Sequence, residues 1–233
     1  MLYYDSLLDK NIDEEINKIT ACKDFINIKF DARKKDMLFL AGILFASNSR
    51  INIVNVEDLQ LSGDGKSFDK MMYKWHLEKS IANISYSPQP NSVFLICPVR
   101  NADIGQKEEI NKYLNKSEEE GMKIYYPARD TNQIDDTGYR ICYDNITAVA
   151  NSNGVHIFYD QNSFGSVFDL GAAYYYQWLD KNREFKILNA KDLEFRENDF
   201  GDCNVLNMHN KSIGKNAKII KLTRKKQTTD TIA

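Results

Sequence analysis

The sequence predicts an α/β protein with a parallel sheet flanked by helices. Three observations carry this expectation. Short apolar strand-like runs alternate with helical segments from about residue 91 onward, and the connections between them are brief. Polar clusters sit just past three of those runs, at Pro98 to Asn101, Arg129-Asp130 and Asp160 to Ser166. Strands alternating with helices over short loops form parallel βαβ units, and such sheets bind ligands beyond the carboxyl ends of their strands.

Each element has its own warrant. Ser87-Pro88-Gln89-Pro90-Asn91 is the one proline-paired segment and divides the chain. Val93 to Cys97 reads as a fully buried strand. Gly105 to Glu120 has an amphipathic helical pattern with Ile110, Tyr113 and Leu114 on one face, and stops at Gly121. Met122 to Tyr126 is a second strand, Gly138 to Ala150 a second helix, and Val155 to Tyr159 a third strand. Val167 to Leu179 is an apolar helix, and Phe185 to Leu188 a fourth strand. Upstream lies a fainter copy. Asp31 precedes Gly42 by the same eleven residues that separate Asp160 from Gly171, and a strand, Ile51 to Val54, follows the helix. The first copy has Leu40 in place of Asp169 and Lys34 in place of Ser163, so the chemistry of the second is absent from it. The expected organisation is an N-terminal α/β extension over 1–90, degenerate repeat or chance likeness, a main domain over 91–220 and a polar tail over 221–233.

Composition narrows the function classes. The 233 residues are 42% hydrophobic and 27% charged, a globular balance. A formal net charge of −2 argues against a broad nucleic-acid surface, and the basic run from Lys221 to Lys226 reads as a solvated tail. No apolar run reaches the ~20 residues that cross a bilayer, and the start of the chain lacks a signal-peptide pattern. Cys22, Cys97, Cys142 and Cys203 show no CxxC spacing, which fits reduced thiols in a cytoplasm. His156 reads as a satisfied core residue, while His76 and His209 lack metal-ligand neighbours, so no metal is expected.

The richest stretch runs from Phe158 to Gly171. Ser163, Gly165 and Ser166 stand where a helix N-terminus offers unpaired N–H groups, which serves capping as well as phosphate binding. Asp169 follows within an otherwise apolar helix. Burying a charge there is costly unless a partner or a function keeps it. Arg100, whose default role is a surface ion pair, has the bidentate donors a phosphate wants. Asp144 is the candidate second acid for glycosidic cleavage. For Arg129-Asp130 a mutual salt bridge competes with substrate contact.

With these residues in place, the segment from about Val93 to Asn189 resembles the nucleoside 2-deoxyribosyltransferase superfamily, which includes the deoxynucleoside 5′-monophosphate N-glycosidases. The resemblance rests on the loop Cys97-Pro98-Val99-Arg100-Asn101, on Asp144 ahead of Ser152-Asn153-Gly154, and on the G-x-x-[FY]-E-L-G block, here Gly165-Ser166-Val167-Phe168-Asp169-Leu170-Gly171. It implies a flavodoxin-like (Rossmann-like) fold. It also implies that Asp169 attacks the anomeric carbon of a sugar, and that Ser163, six residues earlier, contacts a 5′-phosphate where nucleoside-specific members carry Asp. The family nucleophile is normally Glu, so the carboxylate of Asp169 reaches about 1.5 Å less far.

The resulting expectation is cleavage of the N-glycosidic bond of a nucleotide, by hydrolysis or base exchange, without cofactor. Asp169 and Asp144 would be catalytic. Cys97, Pro98, Arg100, Asn101, Arg129, Asp130, Asp160, Ser163, Gly165 and Ser166 would bind substrate. Family members often complete their sites across subunits, which implies a homo-oligomer such as a dimer, unless the first copy does so within one chain. The alternatives are a nucleotide-binding sensor that has lost turnover and an NAD glycohydrolase.

Overall fold

The computed structural model describes residues 1–8, 10–60, 68–78, 83–100, 102–160 and 162–189. The first half runs β1 (Tyr3–Tyr4), α1 (Ile12–Ala21), β2 (Ile26–Ile28), α2 (Lys35–Ala46), β3 (Ile51–Ile53), α3 (Val56–Gln60) and α4 (Phe68–Glu78). The second runs β4 (Gln89–Ile96), α5 (Ile104–Glu119), β5 (Lys123–Tyr125), α6 (Pro127–Asp130), α7 (Tyr139–Asn151), β6 (Ser152–Ile157), α8 (Phe164–Leu179) and β7 (Glu184–Ile187). Each half owns a parallel sheet, ordered β1-β2-β3 and β5-β4-β6-β7. The protein is therefore an α/β fold of the expected flavodoxin-like kind. β4 starts at Gln89, inside the proline-paired segment, with exposed residues ahead of its buried core at Val93. The tail at 221–233, Cys203, His209 and Asn101 lie outside the described residues.

Strand order places the crevice. The chain moves outward from β4 to β5, then crosses back to β6 on the other side of β4. That reversal is a topological switch point, where the loops after two adjacent strands diverge and leave room for a ligand. The loops concerned follow Ile96 and Ile157, each of which is fully buried at its strand end.

The two halves meet through α2 and α8, both almost wholly buried. Their contact obeys a local two-fold relation. A Cβ on Gly42 would lie 2.0 Å from the Phe168 carbonyl oxygen, and one on Gly171 would lie 2.0 Å from that of Phe39. Only glycine lets two helix backbones approach so closely. The rings follow the same exchange. Phe39 meets Tyr174 edge-on at 5.7 Å, and Phe168 meets Phe45 edge-on at 5.8 Å.

A second device recurs within each sheet. Asn55, two residues past β3, accepts from Phe30 N–H and donates to Phe30 C=O, both at 2.9 Å. Asn189, two residues past β7, makes the same pair of bonds with Tyr159, also at 2.9 Å. Each clasp satisfies backbone groups just beyond a strand end that would otherwise go unpaired. It also fixes where the loop leading into α2 or α8 departs.

Candidate functional site

A cavity of about 580 Å³ opens at the switch point, within the range of small-molecule sites. One end is the first turn of α8. Ser163 caps that helix, its Oγ accepting from Ser166 N–H at 3.4 Å and from Ser166 Oγ–H at 2.8 Å. Ser163, Gly165 and Ser166 all line the cavity, and Arg100 enters from the loop after β4. A Cβ on Gly165 would meet no protein atom within 4 Å, so the backbone there is open to a guest. Helix N–H groups, a dipole end, two hydroxyls and a guanidinium make a setting suited to an anion.

Asp169 lies one turn further along α8 and also lines the cavity. It is only 7% exposed, and burial pushes its pKa up to about 7. One hydrogen bond opposes that shift: Asn145 Nδ2–H donates to Asp169 Oδ2 at 3.2 Å. The amide is itself held from behind. Thr131 Oγ1–H donates to Asn145 Oδ1 at 2.8 Å, and Thr131 Oγ1 lies 2.8 Å from the Tyr125 hydroxyl. This row points the Asn145 amide N–H at the carboxylate and so favours its charged form. Asp169 is thus neither turned to bulk water nor sealed behind a helix.

Two thiols share the cavity wall. Burial pushes Cys97 up to about 12 and Cys142 well above its ordinary value, with the Asp169 charge adding to both. Both stay protonated and act as small apolar lining, not as nucleophiles.

Other expected site residues are placed elsewhere. Asp144 lines a separate depression between α7 and β5, where its Oδ1 accepts from Arg140 Nε at 2.8 Å. The reason is helical phase: neighbouring residues on a helix point about 100° apart. Asn145 therefore faces the cavity and Asp144 turns away, so the second acid expected there is absent from the cavity. Arg129 and Asp130 line the same outer depression. Arg129 donates to Asp130, to Glu118 and to the Ile124 carbonyl, bracing the sheet edge. Pro98 is buried in the loop leading to Arg100, and Asp160 accepts from Asn162 N–H at 2.8 Å. Neither is among the residues lining the cavity.

Among the residues not foreseen are Asn145, Gln133 and Asp135 from the second half, and Arg33, Phe68 and Asp69 from the first. Asp135 serves its own loop. Burial acts to raise its pKa, but bonds from Thr137 and from Arg140 N–H outweigh this and hold it below the ordinary value. Gln133 donates to the carbonyls of Pro127 and Thr131. A signal for Asn145 was present, since Cys142, Asn145, Ile146 and Val149 share one helix face. The first-half residues carry no local signal, because only tertiary packing, of α4 for Phe68 and Asp69 and of the loop before α2 for Arg33, brings them to the cavity.

His156 is a core residue, 2% exposed. Its Nδ1 meets the Tyr113 hydroxyl, and its Nε2 lies 3.2 Å from Glu184 Oε1. His76 Nδ1 accepts from Ile53 N–H and ties α4 to β3. Among the described residues no helix is long and apolar enough to cross a membrane. Protein-family models, curated proteins and solved structures were compared with the chain, and none matches.

Proposed function

We propose that this protein cleaves the N-glycosidic bond of a nucleoside 5′-monophosphate. The observation that carries the reading is the sharing of one cavity by a buried carboxylate, Asp169, and an anion-suited turn with Arg100 beside it. The 5′-phosphate binds Ser163, Ser166 and Arg100, which sets the sugar against α8. Ionised Asp169 attacks the anomeric carbon and forms a glycosyl ester while the carbon–nitrogen bond breaks. The base departs with the electron pair of that bond and takes a proton from solvent. Water or a second base then attacks the anomeric carbon, gives its own proton to solvent and breaks the ester, which returns Asp169 to its ionised form. Charge develops on the sugar beside a buried carboxylate, where a fixed negative charge acts most strongly. The chemistry calls for no metal or organic cofactor.

Asn145 takes a supporting place in this scheme, since its N–H favours the ionised, attacking form of Asp169. The cavity draws walls from both halves of one chain, so this reading needs no partner subunit to complete the site. A nucleotide substrate and the free thiols of Cys22, Cys97 and Cys142 fit a cytoplasmic setting.

The test is incubation with deoxyribonucleoside and ribonucleoside 5′-monophosphates, free nucleosides and NAD, with released base resolved by chromatography. The reading expects base from a monophosphate and little from the matching nucleoside. Base from NAD in preference would make the protein an NAD glycohydrolase. A second reading, nucleotide binding without turnover, is favoured by one feature: the burial that keeps Asp169 half protonated near neutral pH. Tight binding with no base released from any substrate would select it.

A further inference from the structure

We infer that the first half of the chain, though it lacks a carboxylate at Leu40, supplies the wall that recognises the base. The inference rests on the nucleotide reading above. Arg33, Phe68, Asp69 and Met71 all line the Asp169 cavity, and all four belong to the first half. α4 carries three of them across, pinned by Trp75 against Phe45 and by Phe68 against Phe168, with ring centroids 5.0 and 5.4 Å apart.

The chemistry of this wall differs from that of the others. The turn of α8 and Arg100 form the anion end. On the wall from 133 to 142, the Gln133 amide and the Asp135 carboxylate are already bonded within their own loop. The first-half wall presents an aromatic ring beside a carboxylate and a guanidinium, and that guanidinium is likewise bonded within its own loop. Phe68 is half-buried, with Phe168 behind it and the cavity before it. Such a ring stacks on any base. Asp69 lines the cavity next to Phe68, and a carboxylate has several lone-pair sites that base N–H groups can share. Arg33 lies within electrostatic reach of Asp69, and its guanidinium is oriented by a two-pronged bond to Asp31 at 2.9 and 3.0 Å. Arginine keeps further N–H donors in such a pairing, enough to meet a base carbonyl or ring nitrogen. Buried Met71 backs the wall with polarizable apolar bulk. The ligand class is therefore a nucleobase carried on a sugar phosphate, with Phe68 giving affinity and Asp69 and Arg33 giving choice of base.

Calorimetric titration separates this wall from the anion end. The ligands are the four common deoxyribonucleoside 5′-monophosphates and 2-deoxyribose 5-phosphate. The variants are Phe68→Leu, Asp69→Asn and Arg33→Gln, the last at an exposed side chain whose loss leaves the fold intact. Phe68→Leu is expected to weaken every nucleotide about tenfold and to leave the sugar phosphate within about twofold. Asp69→Asn and Arg33→Gln are expected to reorder the four bases while sparing the sugar phosphate. Equal weakening of nucleotides and sugar phosphate in all three variants, or no change in either, would overturn the inference. Binding alone decides this, so a wild type that binds nucleotides but releases no base sinks the glycosidase reading and leaves the wall standing.

Discussion

The two halves of this chain are built from the same parts and put them to different ends. Both set an apolar helix after a short parallel strand, and both clasp the intervening loop with an asparagine that grips one residue's N–H and C=O. Both place a glycine where the other half's helix crosses. They part at one position in that helix. Leu40 is fully buried in α2, whereas Asp169 sits at the edge of a cavity in α8. At that position the first half keeps packing alone, and the second departs from good packing by keeping a carboxylate. Strained or poorly solvated groups of this kind mark functional sites, because stability alone would remove them.

The largest effects should come from breaking what the halves share. Gly42→Ala and Gly171→Ala each force a methyl group to within 2.0 Å of a backbone carbonyl oxygen in the opposing helix. Neither backbone can swing aside as a side chain would, so each should cost more than ~3 kcal/mol. Chemical denaturation of both variants checks this, and the account expects similar losses. A large loss in one alone would show that the crossing is not reciprocal.

Next in size is the position where the halves differ. Asp169 has its folded pKa raised from 3.8 to about 7, so between these values the folded protein holds a proton that the unfolded chain has released. Stability therefore falls as pH rises through that window and levels off above it. At ~1.4 kcal/mol for each pH unit, the ceiling is about 4 kcal/mol. Asp169→Asn should remove this loss, making the variant more stable than wild type at pH 8 and nearly equal to it at pH 4. Thermal melts across that range read the difference directly. A gap that stays constant with pH would contradict the buried, cavity-facing carboxylate.

The asparagine clasps give a smaller and symmetrical test. Asn55→Ala and Asn189→Ala each remove two bonds to backbone groups, at a cost of about 1–3 kcal/mol. The second should also weaken phosphate binding, because its clasp sets the loop that enters α8, whereas the first sets the loop that carries Arg33 and should spare the phosphate. Smallest in stability is Gly165→Ala. The added methyl meets no protein atom, so folding should change by less than ~1 kcal/mol. Phosphate-bearing ligands should nonetheless bind more weakly, since the methyl occupies the approach to the first turn of α8. Isothermal titration with inorganic phosphate and a deoxynucleotide checks both parts.

Much of this was legible in the sequence. Strands such as Val93 to Cys97 are continuous apolar runs, and the turn before α8 announces itself through Ser163, Gly165 and Ser166. Their signals are local, and local physics fixed them. Asp144 was misread because one residue along a helix swings a side chain by about 100°, which gave the cavity face to Asn145. Arg129 and Asp130 were ambiguous for a similar reason, since a strand-end ion pair can serve the sheet edge as readily as a ligand. The first-half wall had no signal at all. Phe68 and Asp69 stand 100 residues from Phe168 and Asp169, and only tertiary packing makes them neighbours.

The most direct measurement is the pH dependence of base release from a deoxynucleoside 5′-monophosphate, taken for the wild type and for Asp169→Asn. An ionised Asp169 as attacking group requires release that climbs as pH passes through about 7 and is abolished in the variant. Release that is equal in the two proteins, or absent from the wild type at every pH, would show that position 169 is not where the chemistry happens.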